Sequence, residues 1–292
     1  MMARMPAINR RALLHLGLRT GIAATAGVAG AYSLGTLGAS VAAGVPPAPQ
    51  APPAPAASTY AAGTFASAAR AGAVTNWIIA RPPGQTAPLR PVILLHGKDS
   101  SAQTVMSMGA EQFLADAVRA GVPPFALAAV DGGNGYWHRR ASGDDSGAMV
   151  LDEVIPILSE QGLDTSRVGF LGWSMGGYGA MLLGSRLGAG RTAAICAVSP
   201  ALWTSPGAAA PGAFDGAEDY AANSVWGLPA LGAIPLRIDC GYDDPFYSAT
   251  QQFIAQLPTP PAGGFSPGGH NPSFWSSQLT GELTWAAPLL TA

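Results

Sequence analysis

Charged side chains are scarce in this sequence. Asp, Glu, Lys and Arg make up 11% of its 292 residues, and the formal net charge is −2. No basic stripe runs along the chain, which argues against nucleic acid as a partner. Cysteine is scarcer still. The two thiols, Cys196 and Cys240, lie in no Cys/His spacing of the kind that holds zinc, so no metal site is expected. Pairing of the two and burial as free thiols at strand positions both fit the sequence. Internal repeats and heptad runs are absent as well, which excludes solenoids and coiled coils.

The N-terminal part reads as processing signal and spacer. A basic start carries a twin arginine, Asn9-Arg10-Arg11-Ala12-Leu13-Leu14, followed by a charge-free Ala/Gly-rich run over 21–44 that ends near Ser40-Val41-Ala42. A positive segment, a mildly apolar one and a small-residue cleavage site form a secretory signal, here over residues 1–43 and of the twin-arginine type. An uncleaved anchor is the alternative, although the many glycines and alanines make the run a poor one. VPPAPQAPPAPAAS follows, and residues 44–58 read as an extended Pro/Ala-rich linker. Residues 59–292 remain, enough for one α/β domain with a full core. Export implies secretion or association with the cell envelope.

Five short apolar runs end at Gly, Asp or Ser: PVILLHG (91–97), FALAAVDGG (125–133), VGFLGWS (168–174), AAICAVSP (193–200) and PLRIDCG (235–241). Each has the length of a strand buried on both faces. TNWIIARP (75–82) alternates and is expected to be an antiparallel edge strand. Helical patterns lie between the runs, over 110–121, 148–162 with a kink at Pro156, 175–188 and 246–257. Strand and helix alternating in this way predict a mostly parallel central sheet with helices on both faces. Such sheets bind ligands at the carboxyl ends of their strands.

One of those ends carries LGWSMGGYGA (171–180). With 21 serines and 38 glycines in the chain, roughly 0.4 Gly-x-Ser-x-Gly matches are expected by chance, so the motif alone decides little. Its placement decides more. A strand runs into Ser174, small residues Gly172 and Gly176 flank it, and a helix starts at once, as a strained nucleophile turn requires. The helix N-terminus also favours a developing oxyanion, with the N–H of Met175 as first donor. A serine nucleophile needs a base. Of the four histidines only His270 follows Ser174, in the glycine-rich stretch SPGGHNPSFW. The acid that orients it stands between them. Asp215, Glu218 and Asp219 fall in a long irregular insertion over 204–227, lid or surface loop, and Asp239 inside a strand run. Asp243 and Asp244 lie just past that run, and placement alone leaves both open.

LLHGKDS, DGGNGYWH, GWSMGGYGA, CGYDDPF and PGGHNPSFW, in this order, resemble the esterase D-type branch of the α/β-hydrolases. That branch includes S-formylglutathione hydrolases, feruloyl, acetylxylan and siderophore esterases, and mycolyltransferases. The likeness covers roughly residues 90–277. It implies an α/β-hydrolase fold and selects Asp244, in Gly241-Tyr242-Asp243-Asp244-Pro245-Phe246, as the acid. It adds the backbone N–H of Lys98 as second oxyanion donor and makes His96 a turn residue. Asp131 to His138 borders the same cleft, where Tyr136 and Trp137 either wall a substrate pocket or pack inward. His138 is a candidate substrate contact, Trp173 shapes the acyl site, and Trp275 packs behind the histidine loop. The implied activity is an exported serine carboxylesterase without cofactor, acting on a small-molecule, lipid or sugar ester. Two alternatives stand beside it: transfer of the acyl group to a sugar hydroxyl, as in mycolyltransferases, and a non-catalytic cell-wall binding protein on a hydrolase scaffold.

Overall fold

The computed structural model describes residues 60–85 and 87–292. The signal and linker expected over 1–58 lie outside the described residues. Eight strands form one sheet: β1 (Tyr60–Ser67), β2 (Ala73–Ala80), β3 (Pro91–Leu95), β4 (Ala126–Val130), β5 (Val168–Trp173), β6 (Thr192–Val198), β7 (Leu236–Gly241) and β8 (Ala262–Ser266). Their order is β1-β2-β4-β3-β5-β6-β7-β8. The β1–β2 and β2–β4 pairs are antiparallel, and all the others are parallel. This is the α/β-hydrolase fold, a mostly parallel sheet between two helical layers. The expected edge strand β2 is antiparallel but lies inside, because β1 pairs along its whole length.

Alternation along the strands builds two cores from each apolar run. Ile93, Leu95 and Phe170 face one side, and Val92, Leu94 and Leu171 the other. On the second side lie α1 (Ala102–Val105) and α2 (Glu111–Arg119), joined by wide turns over Met106–Ala110. The first side holds α3 (Ser146–Ala148) and α4 (Ile155–Glu160), with wide turns over Met149–Val154. The pattern break expected at Pro156 is thus a change of helical pitch just before it. Also on the first side are α5 (Met175–Leu187), α6 (Ala217–Asn223) and α7 (Tyr247–Gln256). A long α8 (Pro272–Thr291) closes the second side with Leu279, Leu283 and Leu290.

Both thiols are buried and unpaired. Cys196 is in register with Arg237, so Cys240, an odd number of residues beyond Arg237, points to the opposite face of the sheet. Two side chains divided by a sheet cannot meet the geometry of a disulfide. Burial raises the pKa of both, that of Cys240 to about 12.

The insertion over 204–227 is fastened down. Arg140 pairs with Asp215 at 2.6 Å, the Tyr178 hydroxyl donates to the Asn223 carbonyl at 2.5 Å, and Arg186 donates to the Asn223 side chain at 2.6 Å. Its Phe214 stacks on His138, with ring centroids 5.3 Å apart.

Candidate active site

The turn at Ser174 follows from steric exclusion. Ser174 has φ 55° and ψ −121°, a conformation costly to any residue with a Cβ. It is held by its N–H donating to the Val198 carbonyl at 3.0 Å, while its own carbonyl accepts from Ala201 N–H at 3.0 Å. The helix after it crosses the end of β3 so closely that a Cβ on Gly176 would sit 1.8 Å from the Leu95 carbonyl oxygen. A Cβ on Gly172 would lie 2.4 Å from the Gly176 backbone. Only glycine fits at both positions, so the motif's two glycines make the turn.

Ser174 Oγ lies 2.8 Å from His270 Nε2, and His270 Nδ1 lies 2.9 Å from Asp244 Oδ2. The loops after β7 and β8 bring acid and base together through another close approach. A Cβ on Gly241 would meet the Gly268 carbonyl at 2.1 Å, and that carbonyl accepts from Asp243 N–H at 2.9 Å. The other oxygen of Asp244 accepts from Phe246 N–H at 2.8 Å. Burial pushes the Asp244 carboxyl up, but its hydrogen bonds with His270 and Phe246 outweigh this and hold it below the usual carboxylate range. Asp243 is exposed and its side chain has no part in this contact. Asp239 is engaged elsewhere, by Arg237 at 2.7 Å.

A cleft of about 360 Å³ opens at Ser174 and His270, lined also by Gly97, Lys98, Trp173 and Trp275. The two tryptophans stack with centroids 5.9 Å apart and an interplanar angle of 16°, and Trp275 meets His270 edge-on at 5.1 Å. Trp173 therefore stands where it was expected, and Trp275 is a wall of the cleft as well as a support for the histidine loop. Thr104 and Met108 add to the lining from α1 and the wide turns after it. Nothing in their local sequence marks them, because only the tertiary packing of that segment puts them there. The Lys98 N–H, on the turn after β3, and the Met175 N–H, first of α5, have no acceptor among the described residues.

Tyr136, Trp137 and His138 do not stand as the substrate contacts the sequence offered; for Tyr136 and Trp137 the alternative of inward packing holds. None lines the cleft. Trp137 is fully buried, its ring filling a slot that Gly132 and Gly179 leave open; a Cβ on either would lie 2.3 Å from it. Tyr136 packs between Trp203 and Phe214, at 5.4 and 6.3 Å. His138 is fully buried, its ring nitrogens 3.0 and 3.2 Å from the Arg139 and Ala213 carbonyls. Burial lowers its pKa, against the opposing pull of those carbonyls and Asp219. The segment follows a strand end, as cleft residues do, but the Trp137 ring fits between Gly132 of the segment itself and Gly179 of α5, which draws it inward.

No family model and no curated protein matches the sequence. Solved structures do match its fold. A ferulic acid esterase superposes with a TM-score of 0.69 at 18% identity, over 79% of this chain and 98% of that one. The S-formylglutathione hydrolase FrmB from Staphylococcus aureus gives 0.62 at 19%, over 78% and 98%. The esterase Est22 gives 0.56 at 17%, over 79% and 80%. The structures similar to this chain thus include two of the groups its motifs resemble, the feruloyl esterases and the S-formylglutathione hydrolases.

Proposed function

We propose that the protein is an exported serine esterase that hydrolyses carboxylic esters through an acyl-enzyme on Ser174. The observation that carries this reading is the continuous chain Ser174 Oγ, His270, Asp244, joined at 2.8 and 2.9 Å and opening on the cleft. His270 takes the Ser174 proton through Nε2 as Oγ attacks the ester carbonyl. Asp244 holds Nδ1–H and balances the charge formed on the ring. The N–H groups of Met175 and Lys98 receive the tetrahedral oxyanion, a contribution of about 3–4 kcal/mol per donor in such sites. The alcohol leaves with the proton from His270, and water, activated by the same imidazole, releases the acid. The similar structures are titled esterases and S-formylglutathione hydrolases, one of them a fluorophosphonate-binding serine hydrolase, which agrees with this chemistry. Export rests on the twin-arginine signal in the sequence, and fractionation with and without Arg10→Lys/Arg11→Lys tests it.

The esterase reading is tested on the protein from Thr59 onward, with p-nitrophenyl esters from short to long acyl chains, beside Ser174→Ala, with and without a sugar acceptor. Serine-dependent turnover in water is the expected result. A burst that stalls until sugar is added points to acyl transfer, and equal rates in both proteins overturn the catalytic role of Ser174 on these esters.

A further inference from the structure

We propose that His96 is a positioning residue for the oxyanion hole, setting the direction of the Lys98 N–H through a hydrogen bond to the carbonyl of the same peptide group. The inference rests on the esterase reading, in which that N–H is a donor. His96 follows β3 directly and is 1% exposed, with both ring nitrogens engaged. Nε2 faces the Gly132 N–H at 2.9 Å. A backbone N–H only donates, so Nε2 must accept, and the proton of the neutral ring sits on Nδ1. Nδ1–H then donates to the Gly97 carbonyl at 2.7 Å.

That carbonyl and the Lys98 N–H belong to one peptide plane, and in a trans peptide they point in opposite directions. Drawing the Gly97 oxygen towards the buried ring therefore turns the Lys98 N–H away from it, towards the cleft that Gly97, Lys98 and Ser174 line. Without the imidazole, the peptide is free to rotate and offer its oxygen to the site instead, where it would repel an oxyanion. The ring itself is held. Trp137 packs edge-on against it, centroids 5.1 Å apart, and Gly132 and Gly179 leave the space that seats Trp137. This gives Trp137 a function the sequence did not suggest: it braces the turn from below. Burial lowers the pKa of His96, in keeping with the neutral tautomer the geometry requires.

The test compares wild type, Ser174→Ala, His96→Ala and His96→Asn with p-nitrophenyl butyrate and the inhibitor phenylboronic acid, whose serine adduct places an oxygen in the hole. Asn can return an N–H to the Gly97 carbonyl, and Ala cannot. In His96→Ala, kcat should fall about a hundredfold or more with KM within about threefold, the boronic acid should weaken in parallel, and His96→Asn should recover at least about tenfold. A kcat for His96→Ala within about threefold of wild type, or equal losses in Ala and Asn, overturns the inference. Should His96→Ala fail to fold, nitrogen-15 NMR of the wild type decides. The Nδ1–H tautomer and a Lys98 amide signal that moves on boronic acid binding support the proposal; the Nε2–H tautomer or an unmoved Lys98 amide overturns it. Wild type no faster than Ser174→Ala would instead defeat the esterase reading, and this inference with it.

Discussion

Ser174 occupies a backbone conformation that pays for itself only through the glycines around it, and the first predictions belong to them. Gly176→Ala should cost at least about 3 kcal/mol, because its Cβ meets a backbone carbonyl that cannot yield as a side chain would. Urea unfolding of Gly176→Ala beside wild type measures this, and an unchanged midpoint would mean the turn adapts. Asp244→Asn keeps the shape but removes the charge that balances His270. It should lower kcat about a thousandfold or more, while Asp243→Asn stays within about threefold, as p-nitrophenyl ester kinetics would register. At this scale the elbow was legible, since motif, strand and helix coincide in a few consecutive residues. The choice between Asp243 and Asp244 was not legible from placement alone. Two neighbours on a turn differ only in direction, and that direction comes from the loops after β7 and β8 meeting at Gly241 and Gly268. The choice between wall and core for Tyr136 and Trp137 stayed open for a similar reason: the slot that takes Trp137 is cut in part by Gly179, which is distant in sequence.

Among the elements, the strands buried on both faces were the easiest to read, because an unbroken run of Val, Ile and Leu bounded by turn residues has few other uses. The two outermost strands were missed. β8 is Ala-Gly-Gly-Phe-Ser, too poor in apolar residues to register, and β1 alternates small residues with weak contrast. α8 was hidden by Gly281, Pro288 and several serines, although Asn271 caps it by accepting from Phe274 N–H at 3.1 Å. That helix carries a liability. Glu282 is 1% exposed and both its carboxyl oxygens lack a hydrogen-bond partner among the described residues. Burial, then the nearby Asp239, raises its pKa well above the ordinary value. A raised pKa gives stability that is complete below the unfolded value and lost as pH rises through the folded one. Glu282→Leu should therefore raise the unfolding free energy obtained from urea curves, by about 1–3 kcal/mol near neutrality, and flatten its loss with rising pH. Equal midpoints across pH 7 to 10 would show that the carboxyl has found a partner.

For the whole molecule, acid should matter through two buried imidazoles as well as the carboxylates. Burial lowers the pKa of both His96 and His138, so the unfolded chain binds more protons below the ordinary histidine value of about 6.5. Their stabilisation is present above that value and is lost as pH falls through the lower folded pKa values. Asp244, also lowered, adds its own loss further down, below the usual carboxylate range. In Glu282→Leu, where the opposing carboxyl is gone, urea midpoints should fall from pH 6.5 towards 4.5, and adding His138→Gln should make the slope shallower; a flat profile over that range would refute the account. The architecture itself was legible at this scale because alternating strand and helix patterns admit few arrangements. The position of β2 inside the sheet was not, since it depends on a neighbour that the pattern did not reveal.

The two cysteines, set on opposite faces of one sheet, bear on when the molecule can become itself. A covalent staple would have tied the completion of folding to an oxidising compartment. These thiols impose no such wait, so the described domain needs no oxidant to reach its folded form.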